Sequence, residues 1–292
     1  MLLFLQFLAN GFMVGGVYAL IALGIVLIYK STQVFNFAVG ELVVLGGFVC
    51  WSLLAWCHFP VWLSVPLALV IALGIGFLVE RLALRPLIGQ PILTAIMATL
   101  AISLLLRGIM LFIWGASTIA FPTTILPGSP VSLGVITFSE ELLWAFCISM
   151  VVFVVLVIFF QKTKMGLFMR ATAESHQTAQ ATGINVKLIF GATWGIAALV
   201  AAMGGILLGS RLGLGVGPTP LVAFKAFPAV IFGGLESIPG AILGGLIVGI
   251  IENLAGGLID PKIAEITPYI ILLLVLIFRP EGLFGLKRIE RI

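Results

Sequence analysis

Residues Leu8 to Tyr29 read LANGFMVGGVYALIALGIVLIY, 22 consecutive positions without a charged side chain. A helix needs about 20 mainly apolar residues to cross roughly 30 Å of hydrocarbon, so this run predicts a membrane span. No basic segment precedes it, and it is longer than the apolar core of a secretory signal, roughly 7 to 15 residues. The expectation is therefore a first helix that stays in the membrane rather than a cleaved leader.

The same criterion applied along the chain gives candidate spans at 8–29, 37–57, 61–79, 92–114, 141–160, 188–209, 222–235, 238–258 and 264–278. The seventh and ninth are short, which predicts tilted, broken or partly re-entrant segments and a total of eight or nine. The longest polar connections are Ala116 to Glu141 and Gln161 to Lys187. No stretch is long or polar enough to act as a linker, so residues 1–292 are expected to form one transmembrane domain of the all-α class.

Composition agrees with this reading. Apolar residues make up 62% and charged residues 9% of the 292, against about 45–50% and about 25% in soluble domains. The net charge of +4 is spread over membrane loops without a basic patch interleaved with aromatics, which argues against nucleic acid. The three cysteines, Cys50, Cys57 and Cys147, show no C-x-x-C spacing and are expected to be packing residues.

With nine spans the N-terminus lies outside and the C-terminus inside. That choice puts Lys30, Arg81, Arg85, Lys162, Lys164, Arg170, Lys187, Arg279, Lys287, Arg288 and Arg291 inside, and only Arg211 and Lys262 outside. The bias follows the positive-inside rule, and the inverted orientation would reverse it. Glycine, 34 residues, recurs as pairs at Gly46-Gly47, Gly204-Gly205, Gly233-Gly234, Gly244-Gly245 and Gly256-Gly257. Such pairs suit close helix packing, or broken helices where backbone lines a cavity. Phe35–Phe48 and Phe227–Gly245 echo each other too loosely to establish a duplication.

Three places carry functional expectations. The segment Lys162–Lys187, KTKMGLFMRATAESHQTAQATGINVK, is rich in helix formers from Arg170 to Thr182 and has Gly183 as a stop, which predicts a short helix on the inner face suited to docking a partner. Asn36-Phe37-Ala38-Val39-Gly40-Glu41 puts an amide and a carboxylate at the inner start of a span. Two readings stay open there: Glu41 faces a bundle interior or water path, or it is solvated at the interface while Asn36 caps the helix. Arg107, Lys225 and Glu252 fall inside spans. Arg107 either snorkels to the outer interface or lines a path. Lys225 and Glu252 lie at heights that differ by on the order of 6 Å, close enough to pair.

Absent motifs narrow the function further. No Gly-Lys dipeptide occurs, so the phosphate-binding G-x-x-x-x-G-K-[ST] loop is missing and ATP, if used, is bound by partner subunits. Neither G-x-S-x-G nor H-E-x-x-H is present, and His58 and His176 are isolated, so neither an enzyme nor a metal site is expected.

In order along the chain, Tyr18–Gly24 with Leu27–Tyr29, Phe35–Glu41, Glu80-Arg81 with Leu84–Leu87, Gly166–Val186, Lys225–Phe227, Gly233–Ala241 and Arg279–Gly285 are similar to blocks of the permease subunits of branched-chain amino acid ABC importers, the LivH family. Val39 stands where the family's N-F-A-H-G-E element has histidine, and Glu236 where glycine is common. The resemblance implies a bacterial inner-membrane protein working with a second, LivM-like permease, two ABC ATPase subunits and a periplasmic or surface-attached binding protein. It implies uptake of branched-chain amino acids, or related small amino-acid, amide or carboxylate solutes, by alternating access. It places ATPase coupling on Gly166, Arg170, Ala171, Ala173, Glu174, Ala181, Gly183, Ile184 and Asn185. Asn36, Phe37, Gly40, Glu41, Arg107, Lys225 and Glu252 are the candidates for the translocation path. The competing readings are a self-sufficient secondary transporter or channel for a small polar solute such as urea, and a membrane scaffold.

Overall fold

In hydrocarbon every backbone N–H and C=O must find a partner within the protein, so uncharged runs of this length fold as helices. A computed structural model describes residues 2–133 and 136–285. Its elements are α1 (Leu2–Thr32), α2 (Val39–Ala55), α3 (Val61–Val79), α4 (Ile92–Trp114), β1 (Pro130–Leu133), β2 (Ile136–Ser139), α5 (Glu140–Lys162), α6 (Lys164–Glu174), α7 (His176–Ala181), α8 (Val186–Leu212), α9 (Pro218–Phe224), α10 (Ala226–Gly233), α11 (Ile238–Leu258) and α12 (Pro261–Phe278). Among the described residues seven helices are long and apolar enough to cross a membrane, and Val39–Ala55 and Pro218–Gly233 are shorter apolar helical segments. The protein is a multi-pass helical membrane protein.

Several expectations need correction. The first span starts at Leu2 rather than residue 8, because Leu2–Phe7 is apolar enough to continue the helix. The ninth begins at Pro261, where Asp260 caps it by accepting from the Lys262 N–H at 2.8 Å, so it is 18 residues long rather than short. The seventh is broken, as its shortness predicts, into α9 and α10 at Lys225, and it starts at Pro218 rather than 222. The second is shorter than expected, since α2 starts only at Val39. The connection 116–141 holds an antiparallel hairpin, with Pro130 opposite Ser139, so the all-α bundle carries one small strand pair. Cys50 is buried as expected, but Cys57 and Cys147 are exposed. Lys287, Arg288 and Arg291 lie outside the described residues.

The helices form an inner and an outer layer. α1 and α8 are buried along most of their length, as is α2, whereas α3, α4, α5 and α12 keep wide apolar faces exposed, among them Leu104, Leu105, Phe112, Val151 and Phe278. A helix that is apolar all round belongs in a bundle core or against lipid, and the two layers are those two cases.

Small residues make the inner layer possible. α1 and α11 run antiparallel: a Cβ on Gly11 would lie 2.7 Å from the Ile250 Cα, one on Gly15 2.7 Å from the Leu246 Cα, and one on Gly245 2.5 Å from the Ala19 Cα. These are small-xxx-small seams on both helices, Gly11-Gly15-Ala19 against Gly245-Gly249, and they bring backbones into contact. Gly46 meets Ala202, Gly205 meets Val43, and Gly233 and Gly244 meet α11 and α10. The packing reading of the glycine pairs accounts for these contacts.

Antiparallel pairing of α1 with α8 and α11, and of α3 with α8, places the C-terminal ends of α1 and α3 on the same face as the N-terminal ends of α8 and α11. Two features close that face. The turn Glu80–Leu84 is π-helical, and the wider turn brings residues five apart together, so Arg85 forms an ion pair with Glu80 at 2.8 Å. The tail Arg279–Gly285 tucks back, with the Leu283 N–H donating to the Phe232 carbonyl at 2.8 Å and the Phe284 N–H to the Gly233 carbonyl at 3.1 Å.

Candidate functional site

Two helix breaks meet inside the bundle. α1 ends with the Thr32 hydroxyl donating to the Ile28 carbonyl at 2.8 Å, and Gln33 takes a left-handed φ of 56°. The chain then runs without helix from Gln33 to Ala38. Non-helical backbone is tolerated at membrane depth only where protein satisfies it. Here the Thr99 hydroxyl of α4 accepts from the Phe37 N–H at 3.3 Å and lies 3.3 Å from the Phe35 carbonyl, and the Asn36 Oδ1 accepts from the Ala38 N–H at 2.9 Å.

The depth of this break follows from α8. Leu42 and Gly46 share a gap with Ala198, which lies 12 residues beyond Val186, the start of α8, or about 18 Å at 1.5 Å per residue. The first turn of α2 therefore sits within the bundle and not at its rim. The second break, at Lys225, faces the first. The Phe35 ring stacks on Phe227 with centroids 5.0 Å apart, Phe37 lies 5.8 Å and Phe224 5.4 Å from Phe227, and Pro220 and Phe224 of α9 cover Gly40.

Each break carries a buried carboxylate whose Oε2 has no hydrogen-bond partner, and the two differ in having an ion pair or not. Lys225 Nζ lies 2.6 Å from Glu252 Oε1, so the pairing expected from helix heights is present. Tyr18 of α1 and Tyr269 of α12 lie beside Glu252. At the first break Asn36 is 1% and Glu41 3% exposed, yet Asn36 Nδ2 and Glu41 Oε2 have no hydrogen-bond partner. Burial overturns the solvated-interface reading of Glu41. Asn36 is not the cap residue either: the cap position is Ala38, whose side chain makes no capping bond, and the Asn36 Oδ1 bonds the N–H of Ala38 itself, ahead of the first helical turn. Arg107 is exposed on α4, and it and Ser103 of the same helix lie beside Glu41.

The connection between α5 and α8 holds two helices, where one was expected. Ser175 interrupts it, ending α6 and capping α7 by accepting from the Thr178 N–H at 3.2 Å. Thr163 and Asn185 cap α6 and α8 in the same way. α7 is seated on a small core of Ala179, Val186 and Phe190 with Ile88 and Ile184, and His176 packs edge-on to Phe190 at 5.3 Å. Gly183 has φ 84°, the left-handed stop that glycine provides at low cost.

The nine residues named for coupling separate into two groups. Gly166 is buried against Phe160, and Arg170 donates to the Phe160 carbonyl, so both hold α6 onto α5. Glu174, Ala181, Gly183 and Asn185 are exposed, with Ala171, Ala173 and Ile184 half-buried.

Two site residues escaped the sequence reading. Thr99 is an ordinary hydroxyl in an apolar run, and nothing local marks it. Arg85 extends its contact beyond Glu80 to the Lys187 carbonyl at 3.4 Å, tying the α3–α4 connection to the start of α8. The five-residue spacing of Glu80 and Arg85 is the only signal for that pair. Among the described residues no cluster of His, Cys, Asp and Glu has metal-holding geometry.

A family profile described as "Branched-chain amino acid transport system / permease component" matches residues 7–278. The high-affinity branched-chain amino acid transport system permease protein BraD of Pseudomonas aeruginosa is 32% identical over 99% of this chain and 98% of its own length. The corresponding protein LivH of Salmonella typhimurium is 32% identical over 100% and 98%. A probable branched-chain amino acid transport permease protein, LivH of Methanocaldococcus jannaschii, is 31% identical over 94% and 90%. With a matching profile across most of the chain and relatives aligned from end to end, this protein belongs to the branched-chain amino acid transport system permease family.

Proposed function

We propose that this chain is a permease subunit of an ATP-driven importer that moves branched-chain amino acids, or related small amino-acid, amide or carboxylate solutes, into the cell by alternating access. The observation that carries this reading is the meeting of two helix breaks inside the bundle, at 33–38 and at Lys225. Discontinuous helices at membrane depth are how transporters place backbone and polar groups around a solute. The relatives' transport of branched-chain amino acids supports the substrate class.

The face bearing α6 and α7 is assigned to the cytoplasm, with the C-terminus on that side, in keeping with the basic residues gathered there. On that face the exposed part of the α6–α7 unit, from Glu174 through Gln177 and Gln180 to Gly183, is the docking surface for an ABC ATPase. Two ATPase subunits, a second permease and a binding protein complete the assembly, and the ATPases bind the nucleotide. Lys225 and Glu252 act as a latch that holds the α9–α10 break against α11. Secondary transport fits less well: one of the two intramembrane carboxylates on the path is already paired to a lysine and so is poorly placed as an ion relay.

The test is reconstitution. Proteoliposomes holding both permeases and the binding protein should take up L-leucine only when the ATPases and internal ATP are present. A Gln180→Cys variant should cross-link to an ATPase subunit. Uptake by this chain alone would refute the reading.

A further inference from the structure

The two breaks differ in one respect that the permease reading leaves unused. At Lys225 the buried charge has its counter-ion. At the start of α2 Glu41 has no ion pair among the described residues; its Oε2 and the Asn36 Nδ2 lack a hydrogen-bond partner, as does Glu252 Oε2 at the other break, and the helix that starts between Asn36 and Glu41 has no side-chain cap. Polar groups removed from water without partners are costly, most of all at membrane depth. Their persistence at the junction of two broken helices calls for an occupant.

The unpartnered groups specify that occupant's chemistry. Glu41 offers carboxyl oxygens as acceptors. Asn36 Nδ2 offers a donor, and the N-terminus of the 17-residue α2 offers backbone N–H groups with partial positive charge. An ammonium and a carboxylate on one carbon satisfy both sides at once. The rings of Phe35, Phe37 and Phe227, gathered at the same junction, supply apolar surface for a branched side chain.

We infer that the start of α2 is a recognition point for a zwitterionic α-amino acid: Glu41 takes the ammonium, while the uncapped α2 N-terminus and the Asn36 amide take the carboxylate. This rests on the permease reading and names the groups that read the solute within it. In this conformation Pro220 and Phe224 cover Gly40, so α9 is the element that shuts the point off. Glu41 also complements the dipole of its own helix, and the test must separate that structural role from recognition.

The experiment uses the complete transporter in detergent without its binding protein, with L-leucine and 4-methylpentanoate as probes. The second probe keeps the side chain and carboxylate and lacks the ammonium. The wild type should bind L-leucine at least tenfold more tightly than 4-methylpentanoate. Glu41→Gln should lose that preference by weakening L-leucine alone, and Glu41→Asp should restore part of it. Asn36→Ala should weaken both probes together. Nucleotide hydrolysis by each assembled variant reports that the complex is intact. Equal weakening of both probes by Glu41→Gln would assign Glu41 a structural role and overturn the inference. An unchanged preference, or no preference in the wild type, would overturn it as well. ATP-driven uptake of L-leucine by the wild type, measured separately, shows whether the permease reading stands regardless of that result.

Discussion

The break at Lys225 and the break at Gln33–Ala38 touch through stacked Phe rings, but they are built on opposite principles. The first is closed: the lysine at the joint of α9 and α10 is held by Glu252 at 2.6 Å, and α11, which carries Glu252, is locked to α1 along a glycine seam. The second is open: Glu41 is buried without an ion pair among the described residues, and the Asn36 amide nitrogen has no partner. A buried charge held by a counter-ion acts as a structural clasp, whereas one without a counter-ion at the same junction is free to respond to a solute. Altering the first should therefore cost stability, and altering the second should cost transport.

The largest effect is expected at the clasp. Lys225→Ala leaves Glu252 buried without its counter-ion, which should cost about 3–5 kcal/mol and lower the thermal midpoint of the purified assembly by many degrees. The swap Lys225→Glu with Glu252→Lys should recover much of that loss, and failure to recover any would show that the two side chains do not act as a pair. Next comes the seam that supports the clasp. Gly249 faces the backbone of Gly15 and Gly11, so Gly249→Val should cost about 1–3 kcal/mol or more by overpacking, seen as poor assembly. Normal yield and midpoint would show that α1 and α11 can separate freely.

At the open break the expected pattern is reversed. Glu41→Gln should change stability by less than about 1 kcal/mol, since the charge it removes meets the dipole of its own helix and an exposed Arg107, each a small contribution, while uptake of L-leucine falls at least tenfold. A large drop in thermal midpoint would erase the contrast between the breaks. The smallest effect belongs to the α6–α7 unit. Gly183→Ala meets no neighbouring atom and pays only for its φ of 84°, about 1 kcal/mol. It should lower the amount of solute moved per ATP hydrolysed while leaving assembly intact. An unchanged ratio would show that the stop after α7 does not affect coupling.

How far the sequence carried depends on whether a feature leaves a chemical mark. α4 and α11 were delimited to the residue, because Pro91 and Gly115 bound one and the Ser237 cap marks the start of the other. The Lys225–Glu252 pair followed from charge and helix rise alone. An interruption between the first two spans was legible, at 30–36, but not its bounds of Gln33–Ala38 or its depth: Phe35 and Phe37 are as apolar in a broken segment as in a continuous helix, and the outcome depends on Thr99, distant in sequence, and on the left-handed Gln33. For the same reason the burial of Glu41 could not be separated from interface solvation, since depth is set by α8 and not by the residues around it. The interruption at Ser175 was written in the sequence as a cap residue within an Ala-rich run, and the strength of that helical run masked it.

The central claim is that an external ATPase drives solute through this chain, and it is tested most directly by accumulation. In proteoliposomes holding the complete assembly, internal ATP should raise the concentration of L-leucine above that outside when the binding protein is present, and proton and sodium ionophores should leave that accumulation unchanged. Accumulation that follows an imposed ion gradient without ATP, or none under either condition, would contradict the account.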